Sequence, residues 1–185
     1  MIVAYPGKVI ESPTTRLVFK QTAQDTDGEL LRFEQVVKAR TPEVQEHRHP
    51  RQEERFVVLA GRMGVRAAGD KKVLGPGEEV TVPRDTPHTF WNAGDEELHH
   101  VVELRPALNM ESFFETIFGL QREGKFPVEG EKRPPNPFQG ALIVTEYENY
   151  LARPPVPVQK ALFPPLAFIG RLFGYRASYP RYSDA

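Results

Sequence analysis

The chain contains no cysteine. That removes disulfide bridges and thiolate chemistry, and it leaves any metal to nitrogen and oxygen ligands. Nor is there an excess of positive charge, since 24 Lys and Arg face 25 Asp and Glu for a net charge of −1. A nucleic-acid partner, which needs a basic surface to neutralise phosphates, is therefore not expected. No apolar run reaches the about 20 residues of a membrane-spanning helix. The nearest stretch is the 13 residues 161–173, interrupted by Pro164, Pro165 and Arg171. It reads as a helix that packs on its own barrel or on a partner subunit. The opening MIVAYPGKVIESP lacks the basic and apolar regions of a secretory signal, so a cytoplasmic location is the expectation. With 39% hydrophobic and 26% charged residues in 185, the composition suits one globular domain with terminal additions.

What is present in the first hundred residues is a series of short strands separated by turn residues. Strands are predicted at 15–20, 29–38, 54–60, 79–83, 88–92 and 97–105, with two more around a Gly69-Asp70 hairpin turn. No helical pattern lies between them, which favours an all-β sandwich or jelly-roll barrel over any βαβ arrangement. After Pro106 the texture changes. Phe113, Phe114, Ile117, Phe118 and Leu120 fall largely on one face of a predicted helix, with Asn109 or Ser112 as N-cap and Gly124 as stop. A second helix is predicted at 139–151 and a third at 161–173, while the tail from 176 should lie on the surface or be disordered. Ten of the 18 prolines fall between Pro127 and Pro180, so this part reads as short helices bent around the barrel rather than a second core. The expected division is a barrel over 1–106, its core at about 15–105, and a helical extension over 107–185.

Chemistry concentrates in three places. His47 and His49 stand two apart in EHRHP, and on an extended strand such side chains share a face. Glu54 opens the next strand, and His88 a later one. Three imidazoles and a carboxylate suit a divalent transition ion. The arrangement around them resembles the two motifs of the cupin superfamily. His47-Arg48-His49, four residues, Glu54, six residues and Gly61 match the core of the first motif. Gly77, five residues, Pro83, one residue, Asp85, two residues, His88, three residues and Asn92 resemble the second. Two positions depart: Thr41 stands where the first motif opens with glycine, and Asp85 replaces a glycine of the second. Neither is a ligand position, and Asp tolerates turn dihedrals.

The resemblance implies a double-stranded β-helix of the single-barrel type, with one divalent metal ion per chain held by His47, His49, Glu54 and His88, and commonly a homodimer. Ligand type does not separate Fe, Ni, Mn, Zn and Cu. Glu53 competes with Glu54 for the carboxylate role. Spacing to Gly61 favours Glu54, and parity agrees, because Glu54, Phe56 and Val58 then face inward. Parity also places Leu31, Phe33, Gln35 and Val37 on one face, and turns His100 inward and His99 outward. Gln35 and His100 are thus candidate catalytic groups: inward polar side chains that need partners, able to orient a ligand histidine or to serve as acid or base near a substrate.

Three functions follow from such a site. The first is a metal-dependent oxygenase resembling the quercetinase or cysteine-dioxygenase type, acting on a small aromatic or enol substrate. The second is a metal-dependent isomerase, lyase or hydrolase, and the third a non-catalytic small-ligand binder. Fold alone does not choose among them.

Overall fold

The computed structural model describes residues 4–183. Along the chain run β1 (Val9–Glu11), β2 (Thr15–Gln21), β3 (Leu31–Val37), β4 (His47–Arg48), β5 (Glu53–Ala60), β6 (Met63–Ala67), β7 (Asp70–Leu74), β8 (Glu79–Val82), β9 (His88–Asn92) and β10 (Leu98–Arg105). Then follow α1 (Met110–Arg122), α2 (Pro137–Tyr147), β11 (Tyr150–Leu151), α3 (Val156–Leu172) and α4 (Pro180–Ser183). The strands form two antiparallel sheets, ordered β1-β2-β3-β10-β5-β8 and β11-β4-β9-β6-β7. This is the all-β jelly-roll barrel with a helical C-terminal part that the strand pattern predicts.

Period-two alternation builds the core. In β3, Leu31, Phe33, Gln35 and Val37 are buried while Arg32 is exposed. In β5, Glu54, Phe56 and Val58 point inward. Phe19, Phe33 and Phe56 are fully buried between the sheets, each contributing about 1.5–3 kcal/mol by leaving water. The Phe-rich helix α1 closes one end, where Phe114 meets Phe33 edge-on at 4.7 Å.

Several sequence expectations shift by local physics. The β6–β7 turn is Ala68-Gly69 rather than Gly69-Asp70. Both residues have positive φ (50° and 92°), as a two-residue type I′ hairpin needs to match strand twist. Asn109 occupies the N-cap of α1 without a side-chain capping bond, and Gly124 at φ 66° follows its end. The second helix stops at Tyr147 instead of 151, because Glu148 turns left-handed (φ 48°) and Tyr150–Leu151 leaves to pair with β4. The third begins at Val156, five residues early, since prolines are tolerated in a first turn. It packs Ala167 and Gly170 against α2 but leaves Phe168, Leu172 and Phe173 exposed. No helix among the described residues is long and apolar enough to cross a membrane.

The tail is a correction. Instead of lying free, Tyr182 is buried with its ring on Gly119. The Ser183 hydroxyl donates to Glu115 Oε2 at 2.6 Å, and buried Lys8 donates to Glu115 Oε1 at 2.8 Å and to the Ser183 carbonyl. Buried polar groups need such partners, and Lys8 and Glu115 supply a paired charge that the tail sequence alone does not reveal. The last two residues of that predicted segment, and the first three of the opening one, lie outside the described residues.

Candidate metal centre

β4, β5 and β9 bring four ligand-type side chains together. His47 lies directly opposite His88 in the β4–β9 pair. His49 follows one residue beyond β4, where its carbonyl accepts the Asp85 N–H at 2.8 Å. Asp85 takes φ 59°, so the turn that usually holds glycine forms with aspartate, as expected. Thr41, the other departure, sits just after left-handed Arg40 (φ 57°), with its hydroxyl on the Lys38 carbonyl at 2.8 Å. Asn92 fastens the far end of β9 by donating to the carbonyls of Val37, Lys38 and Glu96.

Donor atoms of His47, His49, Glu54 and His88 all lie within 4.8 Å of one another. Two ligands on opposite sides of one ion would stand about 4.4 Å apart at most, so the donor set fits a single transition ion after a small contraction. Glu53 points to the other face of β5 and takes no part. Glu54 Oε2 lies 2.7 Å from Nε2 of His88 and 3.5 Å from Nε2 of His49. The ring Nδ1 of His47 donates to the Gln45 carbonyl at 2.8 Å and that of His88 to Thr86 at 2.9 Å. Those bonds leave Nε2 as the inward nitrogen, the outer support that metal-binding histidines generally have. The two carbonyls are backbone groups, so no side-chain signal announces them in the sequence.

The electrostatics agree with a cation-binding purpose. Burial opposes the Glu54 charge, but hydrogen bonds from His49 and His88 outweigh it and hold the carboxyl well below the usual carboxylate range. Burial of its ring, with His88 and His49 alongside, pushes His47 well below its ordinary value. Burial also draws His88 down, but the Glu54 hydrogen bond and charge prevail and raise it. A buried carboxylate among imidazoles is costly without a compensating positive charge. A divalent ion supplies one.

Gln35 and His100 do not join this cluster. They are cross-strand neighbours in the β3–β10 pair, and His100 lies opposite Val58, four residues along β5 from Glu54, where a bulge shifts the β5–β10 register. Phe56 and Phe90, whose rings meet at 5.4 Å, both pack against the His100 ring, at 6.2 and 5.5 Å. His100 faces inward and is fully buried, with neither ring nitrogen hydrogen-bonded, and Gln35 Oε1 also lacks a partner. His99 faces out towards Glu34 at 3.6 Å.

Burial pushes His100 from 6.5 down to about 3. The unfolded chain therefore binds a proton below pH 6.5 that the folded chain refuses until near pH 3, and stability must fall on acidification through that window. Each pH unit removes up to about 1.4 kcal/mol on account of this group. Urea unfolding of wild type and His100→Leu between pH 7 and 4 should show the variant with the shallower loss, and equal slopes would contradict the burial argument.

Comparison with known proteins follows the same outline. Residues 33–102 match a family model described as a cupin domain. A curated relative, polyketide synthase CurC of Streptomyces cyaneus, is 38% identical over 63 residues, which is 34% of this chain and 41% of that protein. The chain thus spans well under half of that relative's length. Among solved structures, an RmlC-like cupin from Shewanella frigidimarina superposes with a TM-score of 0.50 at 17% identity, covering 60% of this chain and 98% of the other. KdgF from Halomonas sp. gives 0.47 at 19% identity, covering 54% and 87%. At 17% identity the likeness to the Shewanella structure speaks for the fold alone.

Proposed function

Because this chain is a cupin-superfamily protein of the single-barrel type, we propose that it binds one divalent transition ion through His47, His49, Glu54 and His88, and that it is a metal-dependent oxygenase acting on a small aromatic or enol compound. The observation carrying this reading is the set of four converging ligand groups, His47 half-buried and the other three buried, beside an interior built from Phe33, Phe56 and Phe90. A bound ion would supply a Lewis acid with coordination positions beyond the four protein ligands. The chain's own residues would do the rest. The phenylalanine rings exclude water and favour a flat apolar substrate, while His100, neutral in its buried place, and Gln35 offer a donor and acceptors to a polar group on it. The similarity to a protein named as a polyketide synthase supports a ketone- or enol-bearing compound as substrate.

A non-redox isomerase, lyase or hydrolase is the second reading, favoured by the same unpartnered His100 nitrogens, which suit a proton-transferring group. Oxygen uptake by metal-loaded protein, measured against a panel of enols, flavonols, phenolic polyketides and thiols, decides between them. The oxygenase consumes oxygen stoichiometrically with substrate. Turnover that persists under nitrogen replaces it with the second reading. Tight binding without turnover, surviving His100→Ala, leaves a ligand-binding protein.

A further inference from the structure

The strand that carries His47 is two residues long and makes few ladder contacts of its own. On one side β4 meets β9 at the single pair His47 and His88. On the other it meets β11, with Leu151 opposite His47 and Tyr150 opposite Arg48, and the Ala152 N–H donates to the Glu46 carbonyl at 3.0 Å. β11 is the outermost strand of its sheet, so its other edge presents backbone groups that need partners. One side chain supplies them. Gln159, from the first turn of α3, is fully buried. Its Oε1 accepts the Leu151 N–H at 3.1 Å, and its Nε2 donates to the carbonyls of Leu151 at 2.7 Å and Pro154 at 2.5 Å. A primary amide carries the same N–H donor and carbonyl acceptor as the backbone and can take the place of a further strand.

We propose that Gln159 is a positioning residue for the metal centre: by closing the free edge of β11 it fixes the strand pair that sets the direction of the His47 and His49 imidazoles. This rests on the metal-centre reading above. Removing the amide strands an N–H and two carbonyls in a partly buried place, and β11 loses its hold. β4 is then left with its one pair on β9 and the Asp85 bond to the His49 carbonyl. The segment after Pro106, which lies outside the residues matching the cupin model, therefore belongs to the site. Groups that orient metal ligands change affinity by about 10–100-fold when removed, and Gln159, acting through a strand, should fall at the lower end.

The test uses Co²⁺ as probe, with affinity read by competition against a chromophoric chelator and ligand geometry read from the visible absorption of bound Co²⁺. Gln159→Ala should bind about tenfold more weakly than wild type, with an altered spectrum. Gln159→Glu, protonated when buried and so keeping one donor, should lie between the two. Tyr182→Ala, which loosens the same C-terminal region away from the ligands, should keep wild-type affinity and spectrum. Wild-type affinity and spectrum in Gln159→Ala overturn the proposal, as does an equal loss in Tyr182→Ala. Should Gln159→Ala not fold, the Gln159→Glu spectrum decides in the same sense. Wild type that takes up no Co²⁺ marks instead the failure of the metal-centre reading, and the proposal falls with it.

Discussion

Addition of a divalent transition ion to protein stripped by chelation should raise the unfolding temperature by about 5–10 °C at a hundredfold excess over Kd. An ion that binds only the folded chain stabilises it by about 2.7 kcal/mol at that concentration, and a domain of this size gains roughly 2–4 °C per kcal/mol. His47→Ala and Glu54→Ala should abolish the rise. Glu53→Ala should keep it, because only Glu54 reaches the imidazoles. Thermal scans with and without EDTA across Mn, Fe, Co, Ni, Cu and Zn give the answer together with metal analysis. A wild-type midpoint indifferent to every one of these ions would falsify the four-ligand centre.

Gly61→Ala should destabilise the fold by about 3 kcal/mol or more, measured by urea unfolding. Gly61 directly follows β5 at φ 80°, and a Cβ there would lie 2.5 Å from the Glu97 carbonyl oxygen and 3.0 Å from the Leu98 Cα. A left-handed alanine alone costs about 1–2 kcal/mol. The clash adds to this, since both obstructing atoms are backbone at the start of β10 and cannot swing aside. Gly77, at φ 84° with nothing near its missing Cβ, provides the contrast: Gly77→Ala should cost only the dihedral part. Equal losses at the two positions would remove the steric argument.

The contrast between these glycines reflects what could be read in advance. Gly61, Pro83, Asp85 and Asn92 carry motif spacing, so the barrel, the choice of Glu54 over Glu53 and the convergence of His47, His49, Glu54 and His88 were all legible from residue order. Inward placement of Gln35 and His100 followed from strand alternation, which is a local property of the backbone. That His100 stands outside the cluster was not legible, because it depends on the register between strands far apart in the chain and on a bulge at the β5–β10 pair.

The C-terminal part shows the other side. Its helices were readable from apolar spacing, but their ends were not: Glu148 turns left-handed, and both β11 joining β4 and the Tyr182 ring settling on Gly119 depend on partners more than sixty residues away. What the sequence by itself determined is the cluster of four ligand-type side chains and the barrel that presents it, because alternation and motif spacing act over a few residues. The tertiary structure alone decided that a strand and a buried glutamine from the extension brace the His47 strand, because an edge strand's hydrogen-bond partners are chosen by packing and carry no local signature.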